Sequence, residues 1–354
     1  MRILHVITSL RIGGAEKLMV DLLPRLRDMG HDVDLLLFDG TMTSFRQQLE
    51  SADIRVYDLG VGGSVYSPIK LFKLIPYLKK YDIIHTHNTA PQLFAAIGNL
   101  ICSTTLCTTE HTTSNHRRAL KWYAPIDRWM YRRYKKIISI SPKTEESLKQ
   151  YVKINDSRFL TIFNGIDLAK YTISDKIKLI TEQDVFAIVQ VAGFRYEKDQ
   201  DTVISALKYL PEKFHLFLVG DGERRIILEN LVRKLDLEAR VHFLGIRDDV
   251  PKILSSADIV VMSSHWEGFG LAAVEGMAAG KPVLASDVEG LRDIVNGAGI
   301  LFPHQDSKIL ADEIIKIESD PLFYKEVMGK CIQRAKHFDI SKMVKGYLKV
   351  YESI

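Results

Sequence analysis

What this 354-residue sequence does not contain excludes several protein classes. No run reaches the ~18 apolar residues that a membrane-spanning helix needs. The strongest candidate, Leu93–Cys107, is broken by Gly98, Asn99 and the Ser-Thr-Thr at 103–105, and reads as a buried helix with its exit. Cysteine is scarce. Cys102, Cys107 and Cys331 lack paired or CxxC spacing, which suits a reducing cytoplasm and not a disulfide framework. The opening MRILHVIT reads as a strand and not as a signal peptide, because His5 interrupts its apolar run and no cleavage site follows. Short-period repeats and low-complexity tracts are missing. Gly13-Gly14, in the first Gly-containing loop, do not have G-x-G-x-x-G spacing, so a dinucleotide fingerprint is absent.

Net charge is also small, with 48 Lys and Arg against 44 Asp and Glu. Residues 1–168 carry 23 basic and 16 acidic side chains, and residues 169–354 carry 25 and 28. The basic excess is local. Arg117–Lys136 holds eight Lys and Arg, one acid (Asp127) and five aromatics. A patch confined to one segment argues against a nucleic-acid binder. Two readings of it stay open: docking on an anionic membrane surface, or a solvated helix whose aromatics Trp122, Tyr123, Trp129, Tyr131 and Tyr134 partly enter a core.

At 46% apolar and 26% charged residues the composition is that of an α/β protein, and the length implies two domains. Strand-like segments Ile3–Ile7, Val33–Phe38, Ile54–Asp58, Ile83–His85, Leu106–Thr109, Lys136–Ile140 and Leu160–Phe163 alternate with helix-like ones, among them a long one near Ala119–Tyr134. After a polar stretch from Asn164 to Asp184 the alternation restarts at Val185–Ala192, as expected of two doubly wound parallel sheets. Ligands of such sheets bind beyond the carboxyl ends of the strands. The polar loops expected there are His85-Thr86-His87-Asn88, Glu110-His111-Thr112-Thr113 and Ser139–Ser141. Gly13-Gly14 opens the first helix, as a plain tight turn or as part of an acceptor site.

Most of the chemistry gathers in Ser263–Gly290. A buried strand, Ile259–Met262, runs into the turn Glu267-Gly268-Phe269-Gly270, then an Ala-rich helix from about Leu271 to Ala279 and a second strand at Pro282–Ala285. Free amides and the positive dipole end at such a helix start suit a phosphate. Glu267 precedes the turn, and Glu275 leans back toward it from the helix, so the two frame one crevice. Phosphate on backbone and hydroxyls on carboxylates describes a nucleotide-sugar pocket. Arg195 and Lys198 follow the strand Val185–Ala192 just before a helix, where two cations can clamp a diphosphate; alone, they would read as an exposed basic loop. Asp32-Val33-Asp34 imitates a metal-binding D-x-D but starts a strand, and is read as structural. His85 and His87 lack a third ligand with metal spacing.

These segments taken together (Gly193–Lys198, Asn164-Gly165-Ile166-Asp167, Gly220-Asp221-Gly222, and Glu267-Gly268-Phe269-Gly270 with Glu275) resemble glycosyltransferase family 4. Glu267 and Glu275 match that family's Glu–seven residues–Glu motif. The resemblance covers most of the chain, is strongest over residues 185–300, and in the first half rests on Gly13-Gly14 and on His111 within Thr109-Glu110-His111. It implies the α/β GT-B fold, two Rossmann-like domains facing across a cleft. Residues 1–168 would bind the acceptor and 169–339 the donor, with a helix at about 340–354 packing back on the first. It further implies that Arg195 and Lys198 neutralise the donor diphosphate, that Glu267 holds donor-sugar hydroxyls and that Glu275 binds the nucleotide ribose. Gly220, Gly268, Phe269, Gly270 and Leu271 would line sugar and phosphate, His111 would lie near the reacting sugar, and Gly13 and Gly14 on the acceptor side. One departure is Phe163, which stands where a proline often precedes Asn-Gly, and it bears on local hinge geometry.

The expected activity is therefore retaining transfer of a hexosyl or N-acetylhexosaminyl group from a nucleotide-diphosphate sugar to a saccharide or lipid-linked acceptor. The catalytic set is His111, Glu267, Arg195 and Lys198, with no metal and no cofactor. The expected setting is cell-surface polysaccharide synthesis, in the cytoplasm or peripheral on the inner membrane face. Two alternatives remain: a nucleotide-sugar epimerase or hydrolase of the same fold, and a non-catalytic nucleotide-sugar binding protein.

Overall fold

The computed structural model describes residues 1–11, 13–113, 118, 120–172, 175–180 and 184–354; Arg117 and Ala119, named above, and part of the stretch 164–184 lie outside them. Two compact units result, one of Met1–Gly165 with Ile340–Ile354, the other of Ile166–Asp339. The boundary residues are tied locally on each side. In the first unit, a Cβ on Gly165 would stand 2.6 Å from the Ile340 Cα. In the second, the Ile166 N–H donates to the Phe338 carbonyl at 2.9 Å.

Among the described residues the first unit holds seven parallel strands: β1 (Arg2–Ile7), β2 (Asp32–Leu37), β3 (Val56–Asp58), β4 (Ile83–His87), β5 (Thr105–Glu110), β6 (Lys136–Ser139) and β7 (Phe159–Thr161). They lie in the order β3-β2-β1-β4-β5-β6-β7. Both faces of the sheet are covered, so polar strand residues such as His85, His87 and Thr109 are buried along with the apolar ones. One face packs on helix Gly14–Asp28 and the C-terminal helix Ile340–Glu352, the other on helices that include Pro68–Lys80, Thr89–Gly98 and Pro142–Val152. The C-terminal helix contributes Met343, Val344, Tyr347, Leu348 and Tyr351 to this core, a face of i, i+4 spacing.

The second unit has six parallel strands: β8 (Phe186–Val191), β9 (Phe214–Val219), β10 (Val241–Gly245), β11 (Ile259–Met262), β12 (Val283–Ser286) and β13 (Ile300–Phe302), ordered β10-β9-β8-β11-β12-β13. Strand order reverses between β1 and β4 in one unit and between β8 and β11 in the other, and these reversals are the switch points where open α/β sheets bind ligands.

Two expectations need correction. The region 119–134 is not one long helix. A 3-10 turn at Lys121–Tyr123 precedes an eight-residue helix, Ala124–Tyr131, with Pro125 in the first turn, the position that proline favours. β4 runs two residues beyond the expected strand end at His85, so His87 does not sit in a polar loop, and both histidines are fully buried inside the strand. Helix Leu291–Val295 and β13, at five and three residues, are too short to leave a periodic signal. Asp32 and Asp34 do begin a strand, and Arg55 holds both, at 2.8 and 2.9 Å.

Candidate active site

In the second unit, β8 and β11 are neighbours, so the segments leaving their carboxyl ends meet. After β8 comes Gly193–Lys198, ending in a 3-10 turn at Tyr196–Lys198. After β11 comes Ser263–Gly270, ending in helix Leu271–Ala278. Ser263 stitches the two: its hydroxyl donates to the Asp199 carbonyl at 2.6 Å, and the Gln190 amide donates to the Ser263 oxygen at 3.1 Å. Asp199, held at φ +44°, makes the sharp exit that starts the next helix.

Glycines set how closely these segments approach. Gly220, at φ +135°, follows β9, and a Cβ there would fall 2.1 Å from the Ala192 carbonyl oxygen. Gly290, at φ +86°, would meet the Glu267 carbonyl oxygen at 2.3 Å. Any side chain at either position would push a site segment away.

Within this frame the Lys198 ammonium is ion-paired to Glu267 Oε1, and Ser264 donates to the same oxygen at 3.1 Å. The structure thus brings together two site residues 69 positions apart. Their side chains are 17% and 11% exposed, open enough for a ligand to reach and dry enough for the charges to matter. Arg195 lies on the same loop, half exposed, with Glu197 at 3.4 Å. Gly268 leads to Phe269, whose buried ring meets Phe338 edge-on at a centroid distance of 5.3 Å. Gly270, at φ +91°, caps the helix that Leu271 begins, and its carbonyl accepts from the Ala273 and Val274 amides at 3.0 and 3.4 Å. Glu275 sits on that helix, only 4% exposed.

In the first unit, Gly13 and Gly14 follow β1 and His111 follows β5, both at the carboxyl ends of the sheet. Gly13 is extended (φ −173°) and caps the helix that Gly14 opens. His111 Nε2 lies 2.9 Å from His87 Nδ1, and burial holds its imidazole down to about 4. Beside it Glu110 is buried and taken up by Arg118 at 2.9 Å, Tyr131 at 2.6 Å and Gln92. Part of the basic segment therefore points inward. Tyr131 and Tyr134 are core residues, whereas Leu120, Trp122, Ile126, Arg132, Arg133 and Lys135 are exposed.

Among the described residues two groups of side chains come within reach of a shared metal ion, His5 with His85 and His87, and Asp199 with His265 and His304. In both groups ring nitrogens also lie at hydrogen-bond distance from protein partners. His85 uses both of its nitrogens, on Tyr351 and Thr109. His265 Nδ1 and His304 Nε2 stand 2.7 Å apart, a hydrogen-bond distance with one proton between them.

Sequence reasoning passed over Ser263, Ser264 and Gln190, and in the first unit His5, Tyr347 and Tyr351. The available signals were a Ser-Ser pair directly after a buried strand, a histidine inside an apolar strand, and two tyrosines at i, i+4.

Comparison with known proteins shows the family and the fold. The family described as Glycosyltransferase Family 4 matches residues 12–170, and that described as Glycosyl transferases group 1 matches residues 172–338. An uncharacterized glycosyltransferase of Methanocaldococcus jannaschii is 30% identical over 294 residues, 80% of this chain and 79% of that protein. This chain belongs to glycosyltransferase family 4. The glycosyltransferase is also 26% identical over 286 residues, 75% of this chain and 72% of the relative, to the Escherichia coli UDP-Gal:alpha-D-GlcNAc-diphosphoundecaprenol alpha-1,3-galactosyltransferase. Its fold matches that of Anabaena HepE, solved in complex with UDP-glucose, at a TM-score of 0.88 and 24% identity over the whole of both chains. The fold class is GT-B.

Proposed function

We propose that this glycosyltransferase moves a hexosyl or N-acetylhexosaminyl group, with retention of configuration, from a nucleotide-diphosphate sugar to a hydroxyl of a saccharide or lipid-linked acceptor in cell-surface polysaccharide synthesis. The observation that carries the reading is the Lys198–Glu267 pair at the β8–β11 switch point, with Arg195 on the same loop and Glu275 on the adjoining helix. Arg195 and Lys198 stabilise the departing diphosphate, so no metal is called on to do so. Glu267 binds donor-sugar hydroxyls and Glu275 the ribose, while Gly268–Leu271 line the sugar and phosphate. In the first unit His111 faces the reacting sugar, and Gly13-Gly14 belong to the acceptor side. HepE in complex with UDP-glucose and the E. coli enzyme's undecaprenol-linked substrate support a nucleotide-sugar donor and a lipid-linked acceptor.

Thermal-shift screening against nucleoside diphosphates and nucleotide sugars should give a stabilised complex with one base, because a ligand that binds only the folded state raises the melting point. Product analysis with that donor then decides the reaction. Conversion that needs no acceptor would mark an epimerase or hydrolase, and binding without turnover across an acceptor panel a binding protein.

The exposed Leu120, Trp122 and Ile126 beside Arg132, Arg133 and Lys135 favour peripheral docking on the anionic inner face of the cell membrane. Liposome binding should require anionic lipid and be lost on charge reversal at Arg132, Arg133, Lys135 and Lys136. Binding indifferent to both would refute the membrane reading.

A further inference from the structure

His111 is the outer end of a buried hydrogen-bond chain that runs in single file through the first unit. His111 Nε2 meets His87 Nδ1 at 2.9 Å, and His87 Nε2 meets His5 Nδ1 at 3.0 Å. His5 Nε2 meets the Tyr351 hydroxyl at 3.2 Å, and that hydroxyl meets His85 Nδ1 at 2.6 Å. His85 Nε2 meets Thr109 Oγ1 at 2.8 Å, which in turn meets the Tyr347 hydroxyl at 3.1 Å. The parallel register places His5 beside His85, and His87 beside Thr109, on one face of the sheet. Tyr347 and Tyr351 come down on that face from the C-terminal helix. The rings of His5, His85 and His87 stack at centroid distances of 4.5–5.3 Å.

Each member brings one mobile proton to this chain. Burial holds His5, His85, His87 and His111 neutral, so every imidazole has one N–H and one lone pair. In such a file each imidazole passes the direction of one bond on to the next, and a hydroxyl that accepted from both neighbours would have to turn its own O–H elsewhere. The protons run either from His111 to Tyr347 or from Tyr347 to His111. In the first case Tyr347 accepts from Thr109 and must turn its own O–H elsewhere. Tyr347 is fully buried, and among the described residues Thr109 Oγ1 is its one hydrogen-bond partner. A buried donor without an acceptor is costly. In the second case every donor from Tyr347 to His87 is met. Tyr347 donates to Thr109, Thr109 to His85 Nε2, His85 Nδ1–H to Tyr351, Tyr351 to His5 Nε2, His5 Nδ1–H to His87 Nε2, and His87 Nδ1–H to His111 Nε2. His111 is left with its proton on Nδ1.

We propose that His87, backed by the chain that ends at Tyr347, is a positioning residue that holds His111 as the Nδ1–H tautomer, so that His111 offers its ligand a hydrogen-bond donor and not a base. The ligand atom it suits is an acceptor oxygen, a sugar hydroxyl or a phosphate oxygen. The ligand side of this inference rests on the proposed glycosyl transfer, whereas the tautomer does not.

The test uses the full chain, ligand-free, with 15N-labelled histidine, and reads ring tautomers from long-range proton–nitrogen correlations; the His111 signals are assigned by their loss in His111→Asn. Wild type should show His111 protonated at Nδ1 and bare at Nε2. A proton on Nε2 overturns the proposal with no variant needed. His87→Leu, which removes the donor, should shift the Nδ1–H to Nε2–H ratio by roughly tenfold or more, and His87→Asn, whose amide can donate from the same place, should restore it. An unchanged ratio in a folded His87→Leu also overturns it. If transfer is measurable, kcat should fall in His87→Leu and recover in His87→Asn. Absence of transfer in wild type, with the tautomer as expected, would count against the proposed function alone.

Discussion

Replacing Lys198 with alanine tests the donor site most directly, because the same ammonium has two separable jobs. In the free protein it balances Glu267, whose Oε1 it shares with the Ser264 hydroxyl. Breaking a fully buried pair costs about 3–5 kcal/mol, and an exposed one about 0–1 kcal/mol. At 17% and 11% side-chain exposure this pair lies between those limits, so a loss of about 1–3 kcal/mol is expected. For a unit of this size that is a melting shift of roughly 3–10 °C. In the reaction the ammonium meets charge growing on the leaving diphosphate. Loss of one such preorganised donor costs about a hundredfold to a thousandfold in kcat. The assay is donor turnover under saturating acceptor, with a melting curve on the same preparation, for Lys198→Ala, Glu267→Ala and the double variant. The two changes should be non-additive in both readouts, with a coupling of about 0.5–3 kcal/mol, since the side chains touch. If folded Lys198→Ala turns over within a few-fold of wild type, the leaving-group role is wrong, whatever happens to its stability.

Three other outcomes are expected. Glu275→Ala should weaken binding of the free nucleoside diphosphate about tenfold or more, through loss of a charged hydrogen-bond acceptor; unchanged affinity by calorimetry would contradict the ribose role. Gly220→Ala places a Cβ 2.1 Å from the Ala192 oxygen at φ +135°; it should destabilise the second unit by about 1–3 kcal/mol or more and lower donor affinity, which melting and titration would report. The third concerns pH. Burial depresses the histidines of the first unit, His111 to about 4 and His5 to about 3, with His85 and His87 also well below the usual range. The unfolded chain takes up protons on them from about pH 6.5 downward, so it binds more protons than the folded chain in that window. Stability is then complete above about pH 6.5 and falls on acidification, by about 1.4 kcal/mol per pH unit for each histidine. Urea midpoints unchanged between about pH 7.5 and about pH 5 would refute the buried neutral state.

Much of this protein is written locally. Apolar strands alternating with amphipathic helices are enough to require two parallel doubly wound sheets, because each strand must be buried on both faces. The turn at Glu267–Gly270, with its glycines and two glutamates, announces a site within one short segment, and family membership was legible there. Charge alone left two readings open at the basic segment, since sequence cannot say which side chains turn inward. Pro125 marks where that helix starts, and the burial of Tyr131 and Tyr134 comes from packing.

Long-range pairing decided the rest. Which strands lie side by side is a property of the whole sheet, and it alone seats Lys198 on Glu267 across 69 residues. The same holds for the histidines. Read singly, His85 and His87 look like residues of a strand end and the polar loop beyond it, since a polar group is costly to bury without a partner. Their partners are His5, Thr109, His111 and a hydroxyl from Tyr351, 266 residues beyond His85. Local pattern determines the elements, because hydrophobic periodicity acts over a few turns or residues. The tertiary fold decides which polar groups satisfy one another, because their partners arrive from the far end of the chain.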